Sequence, residues 1–132
     1  MKIFISSIAI LGLGITLLSI DNNNLVVAQS ATSEEFIARG TEPFWSINVS
    51  KRGIVYTSPD KPKQTFPYVT PLKADGRTEN LVRVYRLSGK GNNLLIIKQV
   101  DNCSDGMSDK KYAYSATAIL GNRVLDGCAE KK

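Results

Sequence analysis

Apolar residues in this chain recur at every second position over short runs, and turn-forming residues end each run before a helix could gather its stripe. The clearest run is Trp45, Ile47 and Val49, interleaved with Ser46 and Asn48 and preceded by a turn at Gly40 to Pro43. A two-residue period sends successive side chains to opposite faces of an extended strand, so one face of this segment is buried and the other is wet. Lys51-Arg52-Gly53 suits a tight hairpin turn, and Ile54 to Thr57 follows as a second strand, β-branched and aromatic, with Tyr56 placed to pair with Trp45. Pro59, Pro62, Pro67 and Pro71 then deny ladder donors over Ser58 to Ala74, which must be loop or edge strand, with Thr65 to Thr70 as the expected edge.

Strand character returns over Glu79 to Leu87, where Val82, Val84 and Tyr85 lie among charged neighbours and leave the inward face undecided. Gly89 to Asn93 is a turn cluster. Leu94 to Ile97 is apolar without alternation, as expected of a strand covered on both faces and crossing the core. Tyr112 to Leu120, the Gly121-Asn122 turn and Arg123 to Asp126 read as a last hairpin, ending at Cys128. No 3.6-residue apolar pattern competes after Phe36. The expected fold is therefore all-β, a small antiparallel barrel of roughly seven or eight meandering strands, with a β-sandwich as the alternative. A barrel is preferred because closure removes the exposed edges that a flat sheet of this size would carry.

With 132 residues the chain has room for one such domain. Its first 28 residues have a different character. Lys2 opens an uncharged run from Ile3 to Ile20, and Val26-Val27-Ala28 offers a peptidase site, so residues 1–28 read as an export signal and Gln29 as the mature start. Left uncut, the same run is long enough to anchor the chain, since roughly 20 residues span a bilayer, and membrane association is expected only in that case. No cysteine lies near the junction for lipid attachment. Residues 29–35 are polar and small and read as a flexible lead, with the barrel occupying 36–132. The expected location is periplasmic or secreted.

Loss of Lys2 and Asp21 with the signal removes one charge of each sign, so the mature chain keeps a net charge of +5. An exported basic domain meets anionic lipid or polysaccharide before it meets nucleic acid, and its scattered lysines and arginines read as a solvated surface. Nucleic acid is not an expected partner.

Cys103 and Cys128 are the only cysteines, and in an exported chain a single pair reads as a disulfide. Closing a loop of about 25 residues stabilises by roughly 3.5 kcal/mol in the chain-entropy description. Pairing between molecules is the alternative. Two thiols without histidine make no zinc site. Between the cysteines, Asp101, Asp105 and Asp109 recur every fourth position. Their spacing lacks the calcium-loop pattern and its bidentate glutamate, so turn chemistry around Asp105-Gly106 is the expectation and a bound cation the alternative. Met107 is expected to plug the core from this loop.

Glu42, Trp45, Asp105 and Asp109 are the candidate binding residues. Trp45 reads first as a core anchor, and Glu42 as a partner for Arg39 or a group facing a pocket. Catalysis has little to stand on. The chain has no histidine, which removes Ser-His, Cys-His and His-metal chemistry, and no phosphate loop appears. A carboxylate pair drawn from Glu42 and the loop aspartates is the one hydrolytic arrangement left. No cofactor and no catalytic residue is expected. The triplets Asn48-Val49-Ser50 and Asn102-Cys103-Ser104 read as accidental glycosylation matches, one in a strand and one against the staple.

Phe36-Ile-Ala-Arg-Gly-Thr-Glu-Pro-Phe-Trp45, Cys103-Ser-Asp-Gly-Met-Ser-Asp109 and Gly127-Cys128-Ala129 together resemble a family of uncharacterised bacterial secreted or membrane-associated proteins. In that family the first motif opens the domain, and the second precedes a tyrosine-containing strand ending in Gly-Cys-Ala. A proline is expected after the tyrosine, where this chain has Ala113. Such domains occur beside modules of the HslJ-like type and of the C-type lysozyme inhibitors, so the resemblance implies a cell-envelope setting. It implies no catalytic residue. The leading expectation is a non-enzymatic envelope protein that binds a ligand or another protein. One alternative is a periplasmic inhibitor resembling the C-type lysozyme inhibitors, although a +5 domain is repelled by a cationic lysozyme. The other is the carboxylate-dependent hydrolase.

Overall fold

The computed structural model describes residues 33–132; the signal and most of the lead lie outside the described residues. What is described is all-β, with no helix. The strands are β1 (Phe36–Thr41), β2 (Phe44–Ser50), β3 (Gly53–Ser58), β4 (Lys61–Phe66), β5 (Leu72–Lys73), β6 (Val82–Leu87), β7 (Asn93–Ser104), β8 (Lys111–Leu120) and β9 (Arg123–Lys131). They form one curled sheet in the order β4-β3-β2-β1-β9-β8-β7-β6-β5, every pairing antiparallel. The first and last strands meet in the middle of the ladder, where Phe36 to Arg39 pair with Lys131 to Cys128.

Eight antiparallel steps separate β4 from β5, so the two run in the same direction. The chain therefore passes from one to the other without reversing. β4 pairs with β3 and β5 with β6, so the two are the edges of the sheet. The nine strands, one more than expected, form a curled half-barrel consistent with the small antiparallel barrel read from the sequence, and residues 67–71 cross between its edges. Pro67 and Pro71 bracket that crossing and cannot donate to a ladder. Tyr68 and Val69 pack from it against the core. Pro62 shows the edge strand beginning earlier than the Thr65 to Thr70 expected.

Side chains fill the interior. Trp45, Ile47 and Val49 point inward as their alternation predicts. Tyr56 stands across from Ile47 and not from Trp45, because the hairpin register pairs Ser46 with Thr57. Phe36 stands in register beside Val49 and its ring meets that of Tyr114 edge to face at 5.2 Å, while Ala116, Ala118 and Ala129 are buried in the same core.

In β6 the inward set is Arg83, Tyr85 and Leu87, while Val82 and Val84 are only partly covered. Arg83 is 0 % exposed. Its guanidinium lies 4.9 Å from the centre of the Phe36 ring and 5.7 Å from that of Tyr114. Its Nε donates to Glu34 Oε2 at 2.6 Å, and its Nη atoms donate to the main-chain and side-chain oxygens of Asn80 at 2.8 and 3.1 Å. Glu34 also accepts from Lys131 Nζ at 2.7 Å, and Glu35 O accepts from the Lys132 amide at 3.0 Å. The end of the lead is thus tied to the barrel by an ion pair. A flexible lead over 29–35 does not hold for Glu34 and Glu35: the buried arginine requires an anion, and the lead supplies it.

Candidate functional site

Two glycines set the geometry where β1 leaves β9. A Cβ on Gly127 would lie 1.9 Å from Arg39 O, and one on Gly40 would lie 1.9 Å from Trp45 Nε1 and 2.7 Å from Asp126 O. The two backbones touch, and the indole lies across Gly40 with Nε1 donating to Asp126 O at 3.3 Å. Cys128 follows Gly127 and is bonded to Cys103, whose Cα is 5.8 Å away. The two cysteines stand on strands separated in the ladder by β8, so β7 must break register, as it does between Gln99 and Cys103, for its end to reach β9. The intramolecular bond expected from the sequence is present. Its loop separation of 25 leads to a direct expectation: replacing both cysteines by serine costs about 3.5 kcal/mol in urea unfolding. A loss under about 1 kcal/mol would show that the loop is held by its other contacts.

Beyond the staple, Asp105 organises the turn. Its Oδ1 accepts from the amides of Met107 and Ser108 at 2.9 and 2.8 Å, and its Oδ2 from the hydroxyls of Ser108 and Tyr112 at 2.9 and 3.3 Å. The Ser108 and Met107 amides, then the Ser108 hydroxyl, hold its carboxyl down at about 2. Thr41 Oγ1 donates to Asp105 O at 2.8 Å and fastens the loop to β1. Met107 is turned out, 66 % exposed, and is no plug: the amides bound to Asp105 fold the loop on itself before it can reach the core.

The candidates from the sequence do not all meet. Trp45 is buried as a core anchor, yet it also borders an open groove of about 470 Å³ together with Arg39, Phe44, Thr57, Asp105 and Tyr112. Glu42 is exposed and borders a smaller cleft of about 200 Å³ that Asp105 also lines. It is not the partner of Arg39, which faces Glu130 at 3.5 Å. Asp101 and Asp109 are exposed, and among the described residues no cluster of three or more metal-ligating side chains forms.

The larger groove lies at the end of the barrel where β2 begins. By register, Thr41 stands beside Phe44, Arg39 beside Ser46, and Ser46 beside Thr57, so these side chains share the outer face. Ser46 Oγ and Thr57 Oγ1 are 2.8 Å apart and share one hydrogen bond. Phe44 is 54 % exposed and supplies an apolar wall, with Pro59 and Tyr112 adding to it. Comparison with protein-family models, curated proteins and solved structures finds no match for this chain.

Of the groove residues the sequence pointed to Trp45 and Asp105. Phe44 had a signal of its own, an aromatic out of phase with the buried alternation at Trp45, Ile47 and Val49. Tyr112 and Thr57 had none, because only the stapled loop and the β2–β3 register bring them there. A second cavity of about 420 Å³ lies near the strand gap, bordered by Glu34, Tyr68 and Tyr85. Burial pushes both of these phenols above their ordinary range.

Proposed function

We propose that the protein is an exported, non-enzymatic binding protein of the cell envelope, and that the groove beside Phe44 and Trp45 is its ligand seat. One observation carries this reading: a groove of about 470 Å³ whose exposed wall is mostly apolar surface, with Phe44, Trp45, Pro59 and Tyr112 set among polar residues, in the size range of roughly 300–1,000 Å³ typical of small-molecule sites. The export signal read from the sequence and the staple are consistent with an oxidising compartment. The non-enzymatic part of the reading is supported by the state of Asp105. This carboxylate is held ionised far below neutral pH and has both oxygens saturated by donors. Neither a general acid nor a general base can work from that position near neutral pH.

Trp45 is the only tryptophan and borders the groove, so it reports on occupancy. The neutral apolar dye N-phenyl-1-naphthylamine is expected to bind one-to-one with energy transfer from Trp45. Phe44→Ser should weaken it about tenfold, the scale of one partly buried aromatic wall. Phe44 is exposed, so the change leaves the core intact. Absence of binding, or binding indifferent to Phe44→Ser, would remove the groove as the seat.

A further inference from the structure

The hydrogen-bonding groups around the groove are unevenly used. Two of the acidic groups near it are engaged: the Asp105 carboxylate by four donors, and Glu130 by Lys110 Nζ on Oε2 at 2.7 Å and by Arg39 Nη1 on Oε1 at 3.5 Å, while Glu42, between Thr41 and Phe44, is exposed. Lys110 is further held over the Tyr112 ring at 4.8 Å. Arg39 is different. A guanidinium carries five N–H donors in a planar fork, and among the described residues the only charged partner of this one is that single contact at the long end of the range. Its side chain is 47 % exposed and stands on the outer face in register with Ser46.

Formal charge does not draw an anion in, since Arg39 and Lys110 balance Asp105 and Glu130, and Glu42 between Thr41 and Phe44 adds one negative charge. Donor supply does. The Ser46 and Thr57 hydroxyls share one hydrogen bond, which leaves a single O–H donor between them, and Thr41 gives its proton to Asp105 O, so the neutral polar groups offer less than the Arg39 fork. An occupant gains most by placing an apolar, preferably aromatic, body against Phe44 and Tyr112 and a planar or tetrahedral anion on the free edge of Arg39.

We infer that the groove selects small aromatic anions, carboxylates or sulfonates, with Arg39 as the residue that recognises the charge. This inference rests on the groove being the ligand seat and names the class of ligand it takes. A cationic ligand would find the Asp105 and Glu130 carboxylates already occupied, and a neutral polyol would leave the aromatic wall without a counterpart.

The probe is 8-anilinonaphthalene-1-sulfonate, which has the aromatic body of N-phenyl-1-naphthylamine and adds a sulfonate. The folded, disulfide-intact chain is titrated with both dyes. The anionic dye is expected to bind about tenfold more tightly, the scale of one charge-assisted hydrogen-bonded contact. Arg39→Gln should erase that difference while leaving the neutral dye unchanged, and Arg39→Lys should restore part of it. Arg52→Gln, beyond the opposite end of β2, is the charge-matched control and should leave both dyes as they were. If the two dyes bind equally in the unaltered protein, or if Arg39→Gln leaves the difference in place, the anion selectivity is wrong while the groove remains the seat. If neither dye binds, the seat itself is wrong and the selectivity falls with it.

Discussion

Gly127→Ala is expected to prevent folding, or to cost more than about 4 kcal/mol, a size reached only by a few mechanisms such as severe overpacking. The added Cβ would lie 1.9 Å from Arg39 O and 2.7 Å from Arg39 C, both main-chain atoms of a strand fixed on each side by pairing. No side chain can rotate away to relieve the overlap. Gly40→Ala meets the Trp45 indole first and Asp126 O next, so part of its overlap falls on a side chain and its cost should be smaller. Gly76→Ala is the comparison that isolates the cause. That glycine has φ 67° and open space around it, so alanine there should cost only about 1–2 kcal/mol through backbone conformation. Urea midpoints of the three variants order the effects. A Gly127→Ala protein within about 1 kcal/mol of the unaltered one would show that β1 and β9 can separate without loss.

This contact also explains the motif pattern physically. Gly40 and Trp45 belong to the first motif, Asp105 to the second and Gly127-Cys128 to the third, and all of them meet at one end of the barrel. The pattern describes a junction: two glycines let the strands touch, an indole covers one of them, and a disulfide holds the loop that fastens to Thr41. The groove is built on this junction, and the residues proposed to read a ligand, Phe44 and Arg39, lie on its outer face.

How far the sequence could be read depends on distance along the chain. The strand at Trp45, Ile47 and Val49 was legible because its alternation is set by its own neighbours and the buried face is apolar throughout. The disulfide was legible because there was only one pair to make. Met107 was misread because a buried methionine is an ordinary outcome, whereas its true position depends on Asp105 capturing the next two amides. The groove was illegible as a whole, since its walls come from residues 39–46, 57–59 and 105–112 and no local signal says that these meet. β6 stayed undecided for a sharper reason. Val82 and Val84 are out of phase with Tyr85, and the core side belongs to Tyr85, Leu87 and a charged residue whose counter-ion lies 49 positions earlier in sequence.

That counter-ion makes the second large effect. Glu34→Ala is expected to cost about 3 kcal/mol, because it leaves the guanidinium of Arg83 fully buried without an anion. Arg83→Met should cost markedly less. Methionine fills much of the same space against Phe36 and Tyr114, Glu34 keeps Lys131, and the Asn80 oxygens released by the change belong to an exposed residue that water can serve. The anion at the rim of the pair thus matters more than the cation inside it. In Glu34→Ala/Arg83→Met the penalty of the first change should largely disappear, since no buried charge then remains, and a double-mutant cycle measures that recovery. The pH dependence carries the same signature. Burial alone would raise the Glu34 carboxyl, but hydrogen bonds from Lys131 and Arg83 and their charges outweigh it and hold the group below its ordinary range. A carboxyl lowered on folding contributes stability that is full above its unfolded value of about 4.3 and fades as pH falls through the folded one. The gap between the unaltered protein and Glu34→Ala should therefore be constant from about pH 6 to 8 and narrow in acid. A gap that stays constant through pH 3 would mean that Glu34 acts by packing and not by its charge.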